Sequence, residues 1–315
     1  MAIALNDNAV AICRKVIEQA ERLRVAVHGA TGGPTTIDCG VSVAGGLEAG
    51  RALAEVCLAG LGRVDFVPAP AAFGAGLAVS VTTDAPVAAC LASQYAGWKI
   101  QQGKYFAMGS GPMRAAAGKE ELFNKIGLRE HPAAAVGVLE ASRLPPPDVL
   151  EMLAESCGVA PAALTVWAAR TASQAGTVQI VARSVETALH KLSELGFDLS
   201  RIESGYGIAP LPPVGRDDLE AIGRTNDAIL YGGEVTLWVR GDDESLAAIG
   251  PRVPSSASPN FGAPFAEIFA RYNGDFYAID PQLFSPAVVT FSNLDTGRTF
   301  RFGRTLPEVI GRWYE

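Results

Sequence analysis

Apolar positions along the chain recur in two alternating periods, one near 3.6 residues and one near 2, and the switches between them predict the elements. Near the start, Val10, Cys13, Ile17 and Ala20 share one helical face, with Asn6 or Asp7 as the cap. A short extended piece at 25–27 enters the turn HGATGGPTT, and 37–43 reads as a strand. Residues 47–58 predict a helix with Arg51 and Glu55 one turn apart, 63–67 and 78–82 predict strands, and 85–98 an apolar helix. The cluster Leu144-Pro145-Pro146-Pro147-Asp148 interrupts the pattern, and Asp148 is expected to cap a helix running to Ser156. Beyond it come a strand at 164–168, one long helix within 174–195 closed by Gly196, an extended stretch at 202–208 and a turn at Leu211-Pro212-Pro213. A helix at 217–227, a hairpin over 228–240 turning at Gly232-Gly233, a polar loop at 255–262 and a helix at 264–272 follow. Further strands up to 300–302 and a short helix end the chain. No fixed-period repeat is present.

This mixture predicts α/β architecture with α+β character rather than a single doubly wound sheet. At 315 residues the length suggests two domains. The proline cluster places them at 1–145 and 146–315, with interleaving of segments allowed.

Composition narrows the possibilities. Hydrophobic residues make up 49% and charged ones 19%, enough apolar material for large cores. The net charge is −7, with 26 basic against 33 acidic side chains and no Lys/Arg block. That balance argues against a nucleic-acid partner, whose binding rests on phosphate neutralisation. No apolar run approaches the ~20 residues of a membrane-spanning helix. Asp7, Glu18 and Glu21 interrupt the opening segment, no basic stretch precedes it, and a cytoplasmic protein is expected. Cys13, Cys39, Cys57, Cys90 and Cys157 are odd in number and form no CxxC pair, so reduced, buried thiols are expected. His28, His131 and His190 lie far apart, and no metal site is expected.

Three stretches could carry chemistry. FAMGSGPMRA runs into Gly109-Ser110-Gly111-Pro112, with Pro112 suited to a first helical turn. It lacks the Lys-Ser/Thr of a P-loop and the third glycine of a dinucleotide fingerprint. Two readings stay open: Ser110, Gly111 and Met113 offer donors to an anion or ring edge, or the glycines simply make a turn. Upstream, Ser93-Gln94-Tyr95-Ala96-Gly97-Trp98 suits a flat heterocycle, and equally a helix end with core aromatics. Arg183 and Glu186 are three apart beside the apolar stripe Val181, Val185, Leu189 and Leu192. Such pairs are commonly solvated, but here nearly every flanking residue is apolar or small, which favours a desolvated carboxylate steadied by a guanidinium.

Taken together, SQYAGW, FAMGSGPMRA, QIVARSVETALHKL and SGYGIAPLPPVG resemble the methenyltetrahydromethanopterin cyclohydrolase family. GRTNDAILYGGEVTLWV and SPNFGAPFAEIFARYNGDFYAIDPQLFSPA extend the resemblance over nearly the whole chain. It implies two packed mixed-sheet domains with a pterin cleft between them, assembled as a homotrimer. It further implies hydrolysis of the cyclic methenyl bridge of tetrahydromethanopterin to the N5-formyl derivative, in formaldehyde oxidation or methanogenesis, without metal or prosthetic group. By resemblance the catalytic pair is Arg183 and Glu186, and Ser93, Gln94, Tyr95, Ser110, Gly111 and Pro112 line the substrate site. A folate-type cyclohydrolase and a non-catalytic pterin-binding oligomer are the alternatives.

Overall fold

A computed structural model describes residues 4–274 and 278–314. Residues 1–3 of the opening segment and 275–277 of the last resembling block lie outside the described residues.

Twelve strands are described along the chain: β1 (Ala26–His28), β2 (Thr35–Gly40), β3 (Gly62–Pro68), β4 (Leu77–Thr83), β5 (Trp98–Gln102), β6 (Tyr105–Ser110), β7 (Ala135–Glu140), β8 (Leu164–Ala169), β9 (Ile202–Pro210), β10 (Glu234–Val239), β11 (Val288–Asn293) and β12 (Thr299–Gly303). They form two six-stranded sheets, each belonging to one compact unit. The first unit comprises residues 1–62 and 88–179, the second 63–87 and 180–315. The chain therefore changes unit three times, the last time inside the helix Gln174–Val181. The division expected at 145/146 falls within the first unit, because β8, beyond the proline cluster, is inserted between β2 and β7. Pro145 and Pro146 only lead into the helix Pro147–Ser156. Asp148 sits in that helix's first turn without capping it.

The first unit's sheet runs β1-β2-β8-β7-β6-β5, with β2, β8 and β7 parallel at its centre and antiparallel strands outside. Consecutive residues of a strand point to opposite faces, so Trp167 and Val166 of β8 enter different cores. Trp167 packs with Ala9, Cys13 and Val16 of the helix Leu5–Glu18 and with Leu53 and Val56 of the helix Leu47–Cys57. Val166 packs with Ile100, Met113, Val149 and Leu153. All five cysteines are buried thiols outside any disulfide, as their spacing predicts. Asn6 is not a cap. It lies inside the first helix, where its amide donates to Pro112 O and its oxygen accepts from Val136 N–H.

The second unit's sheet runs β12-β11-β10-β9-β4-β3. The hairpin expected over 228–240 does not form. The helix Asp218–Gly232, capped by Asp217, continues through most of the stretch, and β10 then pairs antiparallel with β9 and parallel with β11. Apolar residues at 228–231 fit either period, and burial of the helix decides for the helical one.

Two further departures concern the candidate residues. The helix expected over 85–98 is a π-helix, Val87–Gln94, and Trp98 begins β5. The long helix expected within 174–195 divides into Gln174–Val181 and Ser184–Glu194.

Candidate active site

In the first unit, Ser93 and Gln94 end the π-helix, a rare winding that often marks functional positions. Widening to i→i+5 is visible at its end, where Tyr95 N–H donates to Cys90 O at 2.8 Å. Ser93 Oγ donates to Cys57 O at 2.6 Å, and Ser110 Oγ lies 3.3 Å from Cys57 Sγ. Cys57 Sγ also reaches Gln94 O at 3.8 Å. Gly111 N–H donates to Ser93 O at 2.9 Å, and Pro112 O accepts from Asn6. Five of the six expected substrate-lining residues are thus gathered into one buried knot around Cys57 and Asn6, with Tyr95 half-buried beside it.

The turn is visible in the geometry. Gly111 has φ +85, a region that disfavours side chains, and its N–H is committed to Ser93 O. The following helix, Met113–Ala117, has five residues and offers no macrodipole of consequence.

In the second unit, the interruption between the two helices places Arg183 immediately before the helix Ser184–Glu194 and Glu186 in its first turn. Arg183 N–H donates to Ile180 O at 3.0 Å, closing the preceding helix, while Arg183 O accepts from Thr187 N–H at 2.9 Å and opens the next. The helix lies close on β9 because Gly205 and Gly207 face it. A Cβ on Gly205 would come 2.8 Å from Val185 Cγ1, and one on Gly207 would collide with Ser184. A carboxylate in a helix's first turn is favoured by the macrodipole.

Arg183 Nη1 and Glu186 Oε2 are 3.8 Å apart, with side-chain exposures of 9% and 6%. At that distance the two are an ion pair rather than a hydrogen bond. Val181, Val185, Leu189 and Leu192 are fully buried alongside. Further along the same helix, Lys191 is buried and donates to Gln282 O. Burial pushes its ammonium down to about 8, with Asp280 opposing and Arg252 assisting.

The sequence reading did not single out Lys191, nor a second buried arginine, Arg114. Its guanidinium has no exposure, and the only signal was an isolated charge in the small-residue run MRAAA. Among the described residues, no three His, Cys, Asp or Glu side chains converge as metal ligands, and no helix is long and apolar enough to cross a membrane.

The chain matches the model of the family described as Cyclohydrolase (MCH) over residues 4–314. A methenyltetrahydromethanopterin cyclohydrolase of Rhodopirellula baltica is 49% identical over 283 residues, covering 88% of this chain and 85% of the relative. Proteins of the same name from Methylobacterium sp. (strain 4-46) and Methanosarcina barkeri are 45% and 42% identical, each covering 98% of this chain and 97% of its own length. With near full-length coverage, blocks in the same order and identities above 40%, the chain belongs to the cyclohydrolase (MCH) family.

Proposed function

We propose that this chain hydrolyses the cyclic methenyl bridge of 5,10-methenyltetrahydromethanopterin to the 5-formyl derivative, with Glu186 as general base and Arg183 as its electrostatic support. The observation that carries this reading is the buried Arg183–Glu186 ion pair at a helix start, in a chain of this family.

The chemistry suits so small a catalytic set. The methenyl carbon lies in a cationic amidinium-like ring and is already electrophilic, so neither a metal nor a prosthetic group is required. A water adds its oxygen to that carbon and gives one proton to Glu186. The tetrahedral adduct then loses its remaining hydroxyl proton as the C–N10 bond breaks, and N10 departs with a proton. One proton is released overall. Arg183 keeps Glu186 ionised and oriented through positioning and charge. Attraction between Glu186 and the cationic ring strengthens ground-state binding more than the rate, because the positive charge disappears as the adduct forms.

On this reading the half-buried Tyr95 meets the pterin, while the buried Ser93, Gln94, Ser110, Gly111 and Pro112 form the frame that holds it. The enzyme acts as a cytoplasmic homotrimer on a one-carbon route, formaldehyde oxidation or methanogenesis, both of which use this step.

Following the near-ultraviolet absorbance of methenyl carriers tests the assignment. Rapid loss with the methanopterin form and slow loss with the folate form is expected. Turnover of the folate form alone would replace the substrate, and turnover of neither would leave a non-catalytic binder.

A further inference from the structure

We infer that Arg114 is a positioning residue for substrate binding: it closes the C-terminal end of the π-helix Val87–Gln94 and so fixes the backbone that presents Tyr95. The inference rests on the reading that Tyr95 meets the pterin.

A helix that ends inside a protein leaves its last carbonyls without helical partners, and each needs a donor from elsewhere. Here the donors converge from three directions. Arg114 Nη1 donates to Leu91 O at 2.9 Å and to Ser93 O at 3.2 Å. Gly111 N–H also donates to Ser93 O, and Cys57 Sγ to Gln94 O. The principal cap is therefore a cation at the negative end of the helix, where its charge is most favourable.

The guanidinium is itself held on every side. Nε and Nη2 make a fork with Glu120, at 2.8 and 2.6 Å, which neutralises a charge that burial would otherwise make costly. Its central carbon lies 5.0 Å from the Tyr95 ring centroid and 5.3 Å from that of Phe123. Gly97 completes the arrangement, because a Cβ there would come 2.5 Å from Tyr95 Cε1 and collide with Glu120. One side chain thus ties the last turn of the π-helix, the Tyr95 ring and the Glu120 carboxylate together. Arg114 is 21 residues from Ser93 in sequence, so no local rule couples them.

A lysine keeps the charge but cannot serve two carbonyls and a bidentate carboxylate at once. Arg114→Lys should raise KM for the methenyl pterin about tenfold, on the scale of one lost charge-assisted hydrogen bond, with kcat within twofold. Glu120→Gln, almost isosteric, should raise KM less and preserve the fold, and it decides the matter if Arg114→Lys does not fold. Tyr95→Ala is measured in parallel, all at a temperature well below each variant's unfolding midpoint. A raised KM for Tyr95→Ala with unchanged KM for the Arg114 and Glu120 variants overturns the positioning role, leaving the pair purely structural. A fall in kcat at constant KM in those variants also overturns it. An unchanged KM for Tyr95→Ala removes the binding site itself, and this inference with it.

Discussion

Each unit holds an arginine–glutamate pair around a buried guanidinium, and the two are built in opposite ways. Arg114 and Glu120 meet in a two-pronged fork at 2.8 and 2.6 Å, with the arginine also committed to two carbonyls. Arg183 and Glu186 are neighbours on consecutive turns of chain and stand 3.8 Å apart. The fork saturates charge with hydrogen bonds and so fixes geometry. The Arg183–Glu186 pair stands at ion-pair distance, where the guanidinium acts on the carboxylate through its charge. Burial of a charged pair is thus poor evidence for catalysis on its own.

The contrast can be tested from either side. The greatest effect is expected where the fork is destroyed. Arg114→Leu takes the partner from Glu120 and Leu91 O and one of two donors from Ser93 O, and should lower stability by about 3–5 kcal/mol, read from urea unfolding. Unchanged stability would mean that the fork holds nothing together. Next comes Glu186→Gln, which should fold normally and still bind substrate, though less tightly, yet lose at least ~100-fold in kcat, or about 2.7 kcal/mol. Full activity in this variant would show that another group takes the proton.

Another buried carboxyl, Asp227, gives the case without a guanidinium fork. Burial pushes it up to about 7, against the pull of the Phe265 N–H bonded to it at 2.7 Å. Its folded value lies above the ordinary unfolded value of about 3.9, so the folded state holds this proton more tightly. The resulting stabilisation is complete below about pH 4 and is lost as the pH rises through about 7. Asp227→Asn should therefore flatten the fall in stability between pH 4 and 7, by on the order of 2 kcal/mol. Identical pH dependence in wild type and variant would refute the assignment.

The smallest shift concerns Arg183. Arg183→Ala lowers activity and moves the acid limb of the pH–rate profile upward by about one unit, since loss of the positive neighbour favours the protonated carboxyl. An unmoved limb would deny Arg183 its electrostatic part.

Much of this organisation could be read along the chain. Helix starts and strand positions were set by local periodicity at 47–57, 147–156 and 164–169, where pattern and burial agree. The Arg183–Glu186 spacing and its apolar surroundings marked a candidate pair correctly as buried. The reading was incomplete where two periods fit equally well, as at 228–232, or where a helix interruption carries no proline or glycine, as at Ala182-Arg183. The GSGP turn was undecided for a different reason. Whether a glycine N–H is free for a ligand depends on Ser93, 18 positions away.

Amphipathic period, helix-ending glycines and the family-bearing blocks are properties of neighbouring residues, so the chain alone was enough to place many of the elements and to point to the family. The partition into units, the π-helix end and the role of Arg114 depend on contacts between distant segments. Those contacts form because backbone carbonyls and charges removed from water must find partners wherever the fold supplies them, and no local pattern encodes where that is.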